Sequence, residues 1–143
     1  MRIFSFKKNA FTLVEIMIVV AIIVLLSGIA IPNLLRARLH ANEASAIATL
    51  KAVRAAAEMY RIAHSPDYPK YFTYFFNDTP PYLDDSLQDM NKSGYSFRWR
   101  GLLARYDCIA IPQVENVTGQ RSFYLDESGV IRIGQTVLGT PIE

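Results

Sequence analysis

The chain has 143 residues, of which 51% are hydrophobic, and this length fits one small domain with additional segments at its ends. Its formal net charge is +2, but residues 1–10 carry three basic residues and no acid, which leaves 12 basic and 13 acidic residues in the remainder. A nearly neutral remainder argues against general attraction to nucleic acid or anionic lipid. The single cysteine, Cys108, excludes an internal disulfide. It is expected in the core, with a thiol pair between subunits as the alternative.

Residues 11–35 form a long apolar segment that contains one charged residue, Glu15. At about 1.5 Å per residue, a helix of this length can cross a hydrocarbon core of about 30 Å. The basic residues precede the segment, and no good small-residue cleavage site follows it before residues 27–30. The segment is therefore predicted to span a membrane, with residues 1–10 on the inner side.

Glu15 is the feature that a plain membrane anchor does not explain. An acid within a bilayer costs about 2.5–3.5 kcal/mol on insertion scales, and no Lys, Arg or His lies between residues 9 and 35. Cleavage after Ala10 would create an α-amino group on Phe11, four residues before Glu15. This amine, in the same or a neighbouring subunit, is the predicted partner of Glu15, and the alternative is that Glu15 reaches the membrane interface.

The residues around this acid resemble the leader and first helix of type IV pilins and of the pseudopilins of type II secretion. The resemblance covers residues 7–32 and rests on Lys7, Lys8, Ala10, Phe11, Glu15 and the aliphatic run that ends in Ile29, Ala30, Ile31 and Pro32. It implies cleavage after Ala10 by a prepilin peptidase and N-methylation of Phe11. It also implies that Glu15 contacts the Phe11 amine of a neighbouring subunit during assembly. Ala10 is a departure, because glycine is usual before the cleavage site.

Gly28 and Pro32 lie near the end of the apolar segment. Many members of the family carry a helix glycine where this chain has Val24, so any loosening of the helix in a filament is expected between Gly28 and Pro32. Proline removes a backbone donor and clashes with the preceding turn, at about 3 kcal/mol or more in a regular helix. An ordinary kink of a membrane helix is the alternative.

Residues 36–64 are predicted to form an amphipathic helix, because they lack glycine and proline and are rich in alanine. One face carries apolar residues at helical spacing: Ile47, Leu50, Val53, Ala57 and Tyr60. A neighbouring stripe is polar and is expected to face solvent, with subunit contacts as the alternative: Lys51, Arg54, Glu58 and Arg61. Pro66 restricts the preceding residue, so the helix is predicted to end near His64.

Residues 65–143 are predicted to form the globular domain, which begins with a proline-containing loop over residues 65–94. Its aromatic residues between positions 68 and 82 are expected to cover the helix as a satellite core, and a surface for partners is the alternative. They are Tyr68, Tyr71, Phe72, Tyr74, Phe75, Phe76 and Tyr82.

After Gly94 the hydrophobic period changes to two, which predicts β-strands. Tyr95, Phe97 and Trp99 alternate with polar residues, and further strands are predicted at residues 106–111, 121–125 and 130–133. Residues 126–129 form a good hairpin turn between the last two. The predicted fold class is α+β, with a long N-terminal helix packed on a small antiparallel sheet of about four strands over residues 95–143. This is the pilin-like fold that the resemblance implies.

No residue set typical of catalysis occurs, because His40, His64 and Cys108 are not grouped and no glycine-rich phosphate loop is present. The chain is therefore not expected to be an enzyme or to need a cofactor or a metal. Three acids, Asp84, Asp85 and Asp89, offer oxygen atoms of the kind that calcium prefers, but they are expected to cap a short helix.

Five arginines lie in the predicted sheet region, and a DNA-binding patch is one interpretation of them: Arg98, Arg100, Arg105, Arg121 and Arg132. Residues 91–143 contain six basic and five acidic residues, so the net electrostatic field is weak. A solvated sheet surface is therefore expected. Nucleic acid is not an expected partner.

These features predict a structural subunit of a type IV pilus-like filament. Its expected partners are other copies of the chain, a prepilin peptidase, an inner-membrane assembly platform, minor pilins and the membrane. It is expected to cross the bacterial inner membrane once before assembly, and afterwards to lie in an extracellular pilus or a filament that spans the periplasm. The alternatives are a pseudopilin of type II secretion, which the lone cysteine slightly favours, and a minor pilin for DNA uptake.

Overall fold

The computed structural model describes residues 11–142, so the predicted leader, including Ala10, lies outside the described part. Leu13–Ala63 is one α-helix, α1, and Pro32 lies within it. The helix ends where the sequence predicts, just before His64. Internal contacts divide the chain into a first unit that ends at Arg36 and a second unit that begins at Ala37.

In the second unit, one face of α1 is buried, because apolar residues recur at helical spacing there. Leu50, Val53 and Ala57 are fully buried, while Ile47 and Tyr60 pack against the core at its margin. The polar stripe beside this face stays at the surface, since Lys51 and Arg54 are exposed. The amphipathic pattern of this part of the helix therefore predicted its buried face correctly.

The sheet has six strands in sequential order, and each neighbouring pair is antiparallel. The strands are β1 Asn91–Lys92, β2 Tyr95–Leu102, β3 Arg105–Pro112, β4 Phe123–Asp126, β5 Ile131–Ile133 and β6 Thr140–Ile142. The α+β class and the antiparallel sheet are confirmed, but the expected number of about four strands was too low. The two additional strands, β1 and β6, lie at the edges of the sheet and are too short to show a period of two.

The bounds of β4 also differ from the predicted strand at residues 121–125. β4 begins at Phe123 rather than at Arg121, because the backbone N–H of Arg121 donates to the carboxylate of Glu43 instead of joining the sheet ladder. In the sheet, Phe97 lies opposite Ala110, and Ala110 lies opposite Phe123, so a row of buried side chains crosses the central strands.

Residues 65–94 contain two short 3-10 helices, Phe72–Phe76 and Asp85–Leu87, and the strand β1. Phe75 is fully buried, and its ring lies edge-on to Trp99 at 5.0 Å between centroids. Trp99 in turn stacks on Tyr106 at 4.9 Å. Tyr68, Phe72 and Phe75 thus belong to the same core as the helix and the sheet rather than to a satellite core, and Tyr71 and Tyr74 are exposed. Cys108 is also fully buried in this core, as expected.

Candidate assembly site in the N-terminal segment

The first unit presents an unusually apolar surface. Every large hydrophobic side chain from Phe11 to Leu35 is at least 51% exposed. Helix α1 is long and apolar enough to cross a membrane, by length and composition. Burial of apolar surface is worth roughly 25 cal/mol per Å², so exposure of this whole segment to water is strongly unfavourable. The segment therefore requires a covering of lipid or protein.

The start of α1 is organised by Thr12 and Glu15, which form a reciprocal cap. The backbone N–H of Glu15 donates to Thr12 Oγ1 at 3.2 Å, and the backbone N–H of Thr12 donates to Glu15 Oε2 at 3.1 Å. The Thr12 hydroxyl also donates to Glu15 Oε2, at 3.0 Å. This is a capping box, which satisfies backbone donors that would otherwise lack a partner at a helix start. The acid is also favoured by the positive end of the helix dipole.

The cap gives Glu15 a partner that the sequence argument missed. Thr12 is followed three residues later by Glu15 and then by an apolar run, which is the sequence signature of a capping box. The partner in the cap is neutral, whereas the predicted partner was a charged amine. Both contacts use Oε2, and within residues 11–142 the Oε1 atom of Glu15 accepts no hydrogen bond. The carboxylate is therefore only half satisfied by the cap.

Helix α1 runs without interruption through Gly28 and Pro32. The Ser27 hydroxyl donates to the carbonyl of Ile23 at 2.7 Å, which is a common way for serine to bind back to its own helix. A Cβ atom added at Gly28 would meet nothing within 4 Å, so no close contact in the chain requires glycine there. The loosening of the helix at these two residues in a filament stays a prediction.

A second acid, Glu43, lies on the buried face of α1 in the second unit and is 4% exposed. Its carboxylate accepts backbone N–H groups of Gln120 at 3.1 Å and of Arg121 at 3.2 Å, and Arg121 Nε at 2.9 Å. Burial acts to raise the pKa of Glu43, but the hydrogen bonds from Arg121 and Gln120 outweigh it and hold the pKa below its usual value. Glu43 thereby fastens the helix to the loop before β4.

This contact was not predicted, although the sequence carries a signal for it. Glu43 stands four residues before Ile47 and seven before Leu50, so it shares their face of the helix. An acid on an otherwise apolar face predicts a buried partner, because an unpaired buried charge is costly.

The sheet arginines are mostly paired with acids. Arg100 pairs with Asp107, Arg105 Nε lies 3.9 Å from Glu127, Arg121 pairs with Glu43, and Arg132 Nη1 lies 3.1 Å from Asp126. Among the five, only Arg98 forms no ion pair with a residue that the structure describes. Asp84 caps the 3-10 helix Asp85–Leu87 by accepting the N–H of Ser86 at 2.8 Å. Over residues 11–142 no three acid, histidine or cysteine side chains are grouped so as to hold a metal ion.

Comparisons with known proteins agree with the N-terminal motif. Residues 5–31 match the family described as the prokaryotic N-terminal methylation motif. The type IV wide pilus major component PilA4 of Thermus thermophilus is 48% identical over 56 residues, which cover 39% of this chain and 43% of that protein. The type II secretion system core protein G of Vibrio cholerae is 36% identical over 59 residues, which cover 41% of this chain and 40% of that protein.

The chain thus spans about two fifths of the length of these curated relatives. No solved structure gives a significant match. The sequence motif, the apolar N-terminal helix and the antiparallel sheet nevertheless agree with one another. The chain thus carries an N-terminal methylation motif and is similar, over 56 and 59 residues, to a type IV pilus component and to a type II secretion core protein.

Proposed function

We propose that this chain is a structural, non-catalytic subunit of a type IV pilus-like filament. It enters the bacterial inner membrane as a precursor through residues 11–35, is cleaved after Ala10 by a prepilin peptidase, and is methylated at Phe11. An inner-membrane platform and minor pilins then polymerise it through α1 into an extracellular pilus or a periplasm-spanning filament. The observation that carries this proposal is the exposed apolar surface of residues 11–35, most of which lies within the matched methylation motif.

The exposed surface supports polymerisation as well as anchoring. The segment from Phe11 to Leu35 is apolar on all sides rather than along one stripe, so it can contact neighbours around its whole circumference. Lipid offers little hydrophobic drive for association, so close packing of side chains and specific polar contacts hold helices together there. The exposed isoleucine, valine and leucine side chains supply that packing surface, and Glu15 is the ionisable side chain among them.

Glu15 supplies the specific polar contact. In the subunit, its Oε2 atom is held by Thr12, and its Oε1 atom is left to accept another donor. Cleavage converts the amide of Phe11 into an amine, which brings a positive charge next to this carboxylate in a neighbouring subunit. A buried charge pair of this kind fixes the register of the packed helices.

The proposal is tested on filaments sheared from cells with and without this chain. We expect filaments only in cells that contain it, and mass spectrometry should find its N-terminus at a methylated Phe11. Glu15→Val should leave membrane insertion intact and reduce filament yield. A native chain that still begins at Met1, or a Glu15→Val variant with normal yield, would refute the proposal.

A pseudopilin of type II secretion is the second candidate, because one relative has that role and the chain has a single cysteine. Deletion of the chain would then abolish export of secreted enzymes rather than surface filaments. A DNA-uptake role has less support, since four of the five sheet arginines lie against acids. Salt-dependent binding of DNA to the purified chain would favour that role.

A further inference from the structure

The second unit contains an apolar groove between α1 and the last two strands. The groove has a volume of about 350 Å³ and is lined by Ile47, Val130, Ile131, Pro141 and Ile142, with Lys51 and Arg54 at its side. Arg54 Nη1 donates to the carbonyl of Gly129 at 3.0 Å, which fixes the guanidinium beside the groove. Neither cation forms an ion pair with an acid in residues 11–142.

The loop between β3 and β4 contains an exposed turn, residues 114–117, which we call the valine knob. Like the groove, it combines apolar side chains with a charged one. Val114 is 52% exposed and Val117 is 65% exposed. Glu115 lies between them, is exposed, and forms no ion pair with any residue that the structure describes.

The valine knob is held in shape by its own backbone. The N–H of Thr118 donates to the carbonyl of Val114 at 2.9 Å, and the N–H of Asn116 donates to the carbonyl of Gly119 at 2.9 Å. Asn116 has a φ of 61°, a left-handed conformation that asparagine tolerates better than most residues. Asn42 on α1 anchors the loop by donating to the carbonyl of Thr118 at 2.9 Å. A preformed loop loses little conformational freedom on binding.

We propose that the valine knob of one subunit occupies the groove of a second copy of this chain, with Glu115 against Lys51 and Arg54. The groove has apolar walls and two basic side chains that form no ion pair with a described residue. The knob has two exposed valines and one acid that likewise forms no such ion pair. Burial of the valines removes apolar surface from water on both partners, and the opposite charges select the orientation.

The two surfaces share no residue, which has a consequence for symmetry. A contact between two different patches is heterologous, and it adds subunits in one direction unless the rotation closes a ring. This contact therefore suits an open helical filament, and in that respect it rests on the proposed function. It assigns to the second unit an assembly role separate from that of the apolar helix.

The test uses charge reversal in the full-length chain, in cells that form filaments. Glu115→Lys and Lys51→Glu should each lower the share of the chain in sheared filaments about threefold, as expected for loss of a modest ion pair. The double variant, with Glu115→Lys and Lys51→Glu, should recover most of that loss. Asp89→Lys is the matched control, because Asp89 is exposed and outside the ion pairs, and it should leave the yield unchanged.

A second measurement does not depend on yield. Val117→Cys and Val130→Cys combined in one chain should give a ladder of oxidised oligomers in intact filaments, whereas each single variant should not. Cys108 is fully buried and adds no background to this ladder.

The outcomes separate this contact from the proposed function. Absence of filaments from the wild-type chain overturns both. Normal wild-type filaments together with full yield from Glu115→Lys, or without a ladder from the double cysteine variant, overturn the knob contact alone. Rescue by the double charge reversal, with a ladder, supports it.

Discussion

Each of the two parts of helix α1 contains an acid, Glu15 or Glu43, and the two acids differ in the hydrogen bonds that their carboxylates accept. In the second unit, Glu43 is buried and accepts four hydrogen bonds, from the backbone of Gln120 and from the backbone and side chain of Arg121. In the first unit, Glu15 has only Thr12, and one of its oxygens accepts nothing within the described residues. The surroundings differ in the same way, since the apolar face near Glu43 is buried and the apolar side chains near Glu15 are exposed.

This difference separates folding from assembly. An acid whose donors all come from its own chain contributes to the fold of that chain, because removal of those donors would leave the buried carboxylate unsatisfied. An acid that remains half satisfied on an exposed apolar surface is available to a partner outside the chain. Variants at Glu43 should therefore alter the stability of the subunit, and variants at Glu15 should alter the filament.

The largest expected effect on filament assembly comes from Glu15→Gln. Glutamine can still complete the capping box at this position, but it has no charge to offer the Phe11 amine. We expect membrane insertion and the fold to persist while filament yield falls at least about tenfold, equivalent to ~1.4 kcal/mol per contact. Insertion is measured by extraction from membranes, and yield by shearing and pelleting.

Thr12→Ala is the control for this result. It removes the hydroxyl of the cap but keeps the Glu15 charge, at a cost of about 1 kcal/mol to the helix start. We expect its filament yield to remain near that of the wild type. Equal defects in Thr12→Ala and Glu15→Gln would show that Glu15 acts through the cap, and the charge pair would have to be abandoned.

The next effect concerns Glu43→Ala. Removing a buried acid strands its donors, and such losses reach about 3–5 kcal/mol for fully buried pairs. The Arg121 side chain is 47% exposed and can recover water, so we expect a loss of about 2 kcal/mol. Denaturant unfolding of the full-length chain in detergent measures this loss.

Arg100→Ala serves as the comparison variant, because the Arg100 side chain is 79% exposed in its pair with Asp107. An exposed ion pair contributes about 0–1 kcal/mol. If both variants lowered the free energy of unfolding equally, Glu43 would have no special role in fastening the helix.

A smaller effect follows from the depressed pKa of Glu43. Since the folded-state pKa lies below the unfolded value of about 4.5, this group stabilises the fold fully above pH 4.5. The contribution is lost as the pH falls through the lower, folded-state pKa. Between pH 7 and pH 3 the wild type should therefore lose more stability than Glu43→Gln does. Parallel slopes for the two proteins in a pH series of thermal unfolding would contradict this assignment.

A structural feature could be predicted from the sequence when its interacting residues lie close together along the chain. The alternation of Tyr95, Phe97 and Trp99 predicted β2 because period two is a local pattern. The edge strands, with two and three residues, have no such pattern and form only because a neighbour is present. Glu43 illustrates the same limit, since its acid could be noticed on an apolar face, but its donors lie 77 and 78 positions away along the chain.

The N-terminal segment was predicted in more detail, because its interactions are local or come from outside the chain. Its composition predicted an apolar helix, and the spacing of Thr12 and Glu15 before an apolar run is a local signal of the cap that the structure shows. The proposed partner of Oε1 on Glu15, the Phe11 amine of a neighbouring subunit, lies outside the chain. Any loosening of the helix at Gly28 on assembly would also depend on contacts with neighbouring subunits.

Gly28→Ala should have the smallest effect and bears on the first unit alone. Open space surrounds Gly28, so alanine fits without a clash and should stabilise the isolated helix by about 0.5–1 kcal/mol. If α1 loosens between Gly28 and Pro32 on assembly, this gain opposes the change and filament yield should fall by about twofold to fivefold. Hydrogen exchange should then be faster at residues 28–31 in wild-type filaments than in the detergent-solubilised subunit. Equal protection in both states would mean that the helix stays intact on assembly, and Pro32 would then be an ordinary feature of a membrane helix.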